Sequence, residues 1–153
     1  SQNAINQFNN NPDAAGYTYG FRGPDGVYTG RSSVYFSDHA FYSSRQLFRT
    51  IGHELIHVQQ YAYLGGVPGG ATYSPGLVIA MEYGAYGWDQ SSGEHVLWRP
   101  TSAQQRAYEI FRQTTNLNVS LLQTGFRSGL PGINPFIPTR SIPPQGFLVY
   151  FHN

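Results

Sequence analysis

From Ser43 to Gly66 the chain reads as one long helix, and three ionisable side chains in its middle limit what can be built around it. Ser43 followed three residues later by Gln46 is a capping-box start. Leu47, Ile51, Leu55, Val58 and Ala62 then return at helical spacing, and Gly65-Gly66 ends the run. Within it lies IGHELIHV, residues 51–58, carrying His53, Glu54 and His57. Residues four apart on a helix share a face, about one turn and roughly 6 Å along the axis. Two imidazoles at that separation can converge on one cation at about 2.0–2.1 Å each. Glu54 then stands beside the ion without having to bind it. There its carboxylate can take a proton from an activated water and later hand it to a leaving amine. Gly52 costs a helix about 1 kcal/mol relative to Ala, so its place next to His53 points to close packing or access.

The 153-residue chain has no cysteine, so any metal must be held by nitrogen and oxygen donors. That donor chemistry is typical of catalytic zinc, which takes three protein ligands and keeps a fourth position open. Four residues compete to be the third. Glu82 comes first, because it is the acid in the middle of an otherwise apolar helix, among Leu77, Val78, Ala80, Met81 and Ala85. A carboxylate there is costly to bury unless paired or metal-bound, and Gly84 beside it offers close approach to the His53–His57 helix. Asp89, suited to a helix end, His95 in the loop SSGEHVLW and His39 in SDHAFY are the alternatives.

HELIH set in GHELIHVQQY resembles the active-site helix of zincin metallopeptidases, whose defining motif is H-E-x-x-H. The metzincin extension is missing, since Gln60 stands where it requires glycine. A carboxylate on the following helix, as in the gluzincin branch, fits Glu82. The succession GHELIHVQQY, loop, MEYGAY is also similar to zincin-like domains at the C-termini of bacterial polymorphic toxins and effectors, over roughly residues 33 to 90. The resemblance implies an α+β zincin-like fold: a small, partly antiparallel sheet packed on the active-site helix, with a second helix bearing a ligand. It implies one Zn²⁺ per chain on His53, His57 and Glu82, with Glu54 as general base. It also implies an edge strand above the cleft that binds extended peptide. Ser33-Val34-Tyr35-Phe36 is the candidate, unless those residues form an interior strand.

Such a peptidase needs a donor for the oxyanion that forms during attack on the carbonyl. Tyr83, Tyr86, His95, Arg99 and His152 are available, and His95 and Tyr86 are the best placed of them. Ligating imidazoles need acceptors for their outer N–H groups. Backbone carbonyls, Asn or Gln must supply much of this, with Asp38 and Glu94 as candidate carboxylates.

Around the long helix, residues 1–16 read as a linker or short helix ahead of a domain at 17–153. YTYGF and VYTG flank the turn sequence RGPDG, and SVYF is a third short strand. Ser74-Pro75 opens a helix running to about Trp88. Another spans Pro100 to about Gln113 with Ala103, Ala107, Ile110 and Phe111 on its buried side. Residues 125–145 are rich in Pro and Gly, and FLVYF at 147–151 reads as a closing strand.

Charged residues are only 11% of the chain and the net charge is +1, which leaves little for nucleic-acid binding by counterion release. No apolar run reaches the ~20 residues of a membrane span. With few charges, the surface is expected to be wetted by Asn, Gln, Ser, Thr and Tyr, a style common in proteins that work outside a cytosol. All nine basic residues are arginine. Compositional drift explains this simply; selection against lysine modification in a delivered protein is the sharper alternative. What the resemblance implies as function is zinc-dependent hydrolysis of peptide bonds by a secreted or cell-delivered domain. Its partners would be a peptide or protein substrate and a cognate inhibitor or immunity protein. Two other readings stand beside it: a zinc-stabilised binding module that cuts nothing, supported by the Pro/Gly segment 129–146, and a zinc amidase acting on cell-wall peptides.

Overall fold

The computed structural model describes residues 2–91, 98–125 and 148–151, and within them the chain is α+β. Helix α1, Gln2–Asn10, leads to an antiparallel pair, β1 Gly16–Arg22 and β2 Tyr28–Phe36. Of the two readings of residues 1–16 the helix is the one formed, with Ala4 fully buried. The RGPDG turn forms as its residues dictate. Gly26 takes φ +81°, and Asp25 Oδ1 accepts from the Val27 amide.

VYTG and SVYF are not separate strands. They merge into β2, whose irregularity is absorbed at Gly30 with φ +79°. A Cβ on Gly65 would run into the backbone of Gly30, so this bulge lies directly on the end of the long helix. A third strand, β3 Leu148–Phe151, pairs parallel with β2 on its far side. The sheet order is β1-β2-β3, which makes β2 central. Ser33–Phe36 is thus interior strand, and the edge-strand alternative falls because the chain's last segment pairs with it.

Helix α2, Ser44–Gly65, begins at Ser43, whose Oγ accepts from the Gln46 amide. Leu47 and Val58 pack on Val34 and Phe36 of the sheet. The expected apolar stripe is otherwise not the buried one. Ile51 is 38% exposed and Ala62 lies in solvent, whereas Thr50, Glu54, His57, Gln60 and Leu64 are buried. Helix spacing alone puts those five on a common flank.

Helix α3, Pro75–Ser91, crosses α2 and is capped by Ser74 Oγ, which accepts from the Leu77 amide at 3.1 Å. Gly52 explains the close crossing: the Trp88 indole of α3 occupies the space where a Cβ would stand. Ile56, Ala85 and Trp88 form the small core of that junction.

Helix α4, Ser102–Thr114, has a full capping box between Thr101 and Gln104. It buries Tyr108 against the main core of Leu64, Leu77, Ala80 and Met81. Of its expected buried side, Ala107 and Phe111 do face α3, whereas Ala103 and Ile110 do not. Ile110 is 55% exposed and Ala103 is exposed, because Gly76 of α3 lets the Ala107–Phe111 flank approach backbone to backbone. The chain continues into a π-helical turn, Leu121–Gly125, packed on α3 with Leu122 fully buried. No helix among the described residues is long and apolar enough to cross a membrane.

Candidate metal centre

His53 and His57 face α3 one turn apart on α2, their ring centroids 5.0 Å from each other and their planes at 74°. Between them stands Glu82 of α3. His53 Nε2 lies 3.7 Å from Glu82 Oε2, and His57 Nε2 lies 3.6 Å from Glu82 Oε1. These separations are too long for hydrogen bonds. They are close to the ~3.3 Å between neighbouring donors of a tetrahedral ion bound at about 2.0–2.1 Å. All three donor atoms lie within 4.8 Å of one another. The set of two imidazoles and one carboxylate fits a divalent transition metal, zinc above all.

What aims the rings is as informative as where they point. His53 donates its Nδ1–H to Asp89 Oδ2 at 2.9 Å. His57 Nδ1 lies 2.8 Å from Gln60 Oε1. The Gln60 amide cannot be reversed, because its Nε2 donates to both Met81 O, at 2.9 Å, and Leu122 O, at 2.7 Å. Gln60 Oε1 must therefore accept, His57 must carry its proton on Nδ1, and Nε2 is left as the free donor atom facing Glu82. A glutamine was among the residue types expected in this role, and Gln60 fills it; Asp89 was not expected there. Asp89 had been matched to a helix end, and of the expected partners, Asp38 sits in a turn before α2 while Glu94 lies outside the described residues. Gly84 makes room for the arrangement, since a Cβ there would collide with Leu122 O and Gln60 Nε2.

Glu54 is 5% exposed and points from α2 toward β1. Thr18 donates its hydroxyl to Glu54 Oε2 at 2.6 Å, while Gly16 lies against Oε1 with no side chain to cover it. Burial pushes the carboxyl above the usual range, against the pull of His57, His53 and the Thr18 hydrogen bond. Nothing local marks a strand threonine whose partner is 36 residues away.

Tyr86 lies beside the cluster. Its ring meets that of His53 edge-on at 4.9 Å and stacks on Trp98 at 5.0 Å. Burial pushes its hydroxyl up to about 12, so it stays protonated. Tyr83 turns the other way and donates to Gln105 Oε1 of α4 at 2.8 Å, and Arg99 is exposed outside the cavity. His39 lies before α2 with its ring against Tyr42. His95 and His152 lie outside the described residues, as does segment 129–146.

Two cavities, of about 420 and 250 Å³, share Gly16, His53, Glu54 and Tyr86 in their linings, so open space lies on either side of His53 and Glu54. Six of the chain's twelve tyrosines line the larger one.

His53 gives the metal-free protein a defined pH response. Burial pulls its pKa down, but the hydrogen bond to Asp89 and the carboxylates of Glu54, Glu82 and Asp89 outweigh this and hold it at about 9, against an ordinary 6.5. A raised folded-state pKa contributes stability that is complete below the ordinary value and disappears as pH rises through the shifted one. The melting temperature of chelator-treated protein is therefore expected to fall between about pH 6.5 and pH 9. Asp89→Asn should flatten that fall, and a flat profile in the parent protein would exclude this ion pair. No family model, no curated protein and no solved structure matches the chain.

Proposed function

We propose that the chain is a zincin-like zinc peptidase in which His53, His57 and Glu82 hold one Zn²⁺ and Glu54 is the general base. The observation that carries this reading is the convergence of two outward-anchored imidazoles on both oxygens of Glu82, with a buried carboxylate one residue from the first imidazole. A merely structural site has no use for Glu54. The ion, when bound, supplies a Lewis acid that polarises the substrate carbonyl and makes water acidic enough to be deprotonated near neutral pH.

The rest is done by the chain's own groups. Glu54 accepts the proton of the attacking water, and burial makes it a stronger base than an exposed carboxylate. Thr18 fixes Oε2, which leaves Oε1 beside Gly16 to take the proton and then return it to the leaving amine. Asp89 and Gln60 keep the imidazoles aimed while charge moves. Tyr86, protonated and next to His53, is the donor we assign to the developing oxyanion.

The test is metal analysis of the purified protein together with incubation on unfolded proteins and on peptidoglycan. About one zinc per chain, cleavage of unfolded protein and poor metal retention in Glu82→Ala are the expected results. Unchanged zinc stoichiometry in Glu82→Ala would remove that residue from the site. Cleavage of peptidoglycan stem peptides alone would turn the reading to an amidase, and zinc without any cleavage would turn it to a binding module.

A further inference from the structure

The larger arm of the cleft runs from the His53–His57–Glu82 cluster along β1. Among the described residues its ionisable lining, the two histidines and the tyrosines aside, is Glu54, Glu82 and a single cation, Arg22. Arg22 is the last residue of β1, four positions beyond Thr18, whose hydroxyl holds the base. At about 3.3 Å per strand residue, that sets the two Cα atoms ~13 Å apart along the cleft wall.

Arg22 is exposed, and its guanidinium lies over the ring of Tyr73, 5.5 Å from the centroid. No carboxylate among the described residues pairs with it. Stacking on a tyrosine orients the planar fork and leaves its N–H groups for a second partner, and carboxylates match that fork best. Charge balance points the same way. Within the lining of this arm a bound divalent cation would be balanced by Glu54 and Glu82, which leaves Arg22 as the remaining positive charge on a wall rich in tyrosine. The smaller arm differs, because Arg49 there is accompanied by Asp13 and Asp89.

We propose that Arg22 makes this a protein selective for acidic peptides, recognising a substrate carboxylate about three or four residues from the bond to be cut, given ~3.4 Å per residue of extended chain. The inference rests on the peptidase reading and adds the class of substrate. Tyr73 holds the guanidinium in place, and the substrate's carboxylate accepts from it.

Zinc-loaded Glu54→Gln protein should be titrated with fluorescent peptides, otherwise neutral, that carry Glu, Gln or Lys at each position in turn, with anisotropy as the readout. At one position three or four residues from the centre, the Glu peptide is expected to bind about five- to tenfold tighter than the Gln peptide. Arg22→Gln should abolish that ratio and Arg22→Glu should reverse it in favour of Lys. Added salt should shrink it, since the charge is exposed. Equal affinities in the protein with Arg22 intact, or a Glu preference that survives Arg22→Glu, would overturn the assignment while leaving the peptidase reading standing. If no peptide binds and the parent protein cuts none, the peptidase reading fails and takes this inference with it.

Discussion

Glu54→Gln is expected to lower peptide hydrolysis by about a thousandfold, within the range a positioned general base supplies, while zinc content and fold persist. Both halves of that result follow from what surrounds the side chain. Gln has nearly the shape of Glu, and its carbonyl oxygen can accept the Thr18 hydroxyl as Oε2 does now. It cannot take a proton from water. The exchange also removes a buried group whose charged form is penalised by desolvation, so the melting temperature should hold or rise slightly. Activity assays beside zinc analysis and a thermal melt provide the check. Full activity with full metal would refute the mechanism. Loss of metal along with activity would mean that Glu54 helps bind the ion, a different chemistry.

The local signals in this chain were readable where their causes are local. The Ser43 cap with Gln46, the RGPDG turn and the Gly65-Gly66 stop each depend on neighbours a few residues away, and each element formed where expected. The buried face of α2 was not readable in the same way. Periodicity assumes that burial follows apolarity, yet one flank of α2 faces the cleft and the polar groups around it. The helix therefore buries Thr50, Glu54, His57 and Gln60 and leaves Ile51 outside. The acceptors of the two imidazoles show the same divide. Gln60 lies three residues after His57 on one helical face and could have been found by spacing. Asp89 reaches His53 only because Gly52 lets Trp88 bring α3 onto α2, which no window on the sequence reveals. Likewise β2 became central only when the last described strand paired with it.

That divide makes Gln60 the place where fold and site should fail together. Gln60 is fully buried and its side chain joins three elements: α2 through His57, α3 through Met81 O, and the π-helical turn through Leu122 O. Gln60→Leu keeps the volume but removes every one of these hydrogen bonds. Two buried carbonyls and the His57 N–H then lose their partner, each unsatisfied group costing about 1–3 kcal/mol, so a total loss of roughly 3 kcal/mol is expected after relaxation. Zinc affinity should fall about 10- to 100-fold, because an imidazole without an outer acceptor is neither oriented nor held in the right tautomer. Gln60→Glu separates the two effects. Its carboxylate still accepts from His57 but cannot donate to the carbonyls of Met81 and Leu122, so zinc affinity should be largely recovered while stability stays low. Chemical denaturation of metal-free protein and competition titration with a zinc chelator measure the two quantities independently. If Gln60→Leu loses stability yet binds zinc as tightly as before, the orienting role assigned to its Oε1 is wrong and the residue serves packing alone.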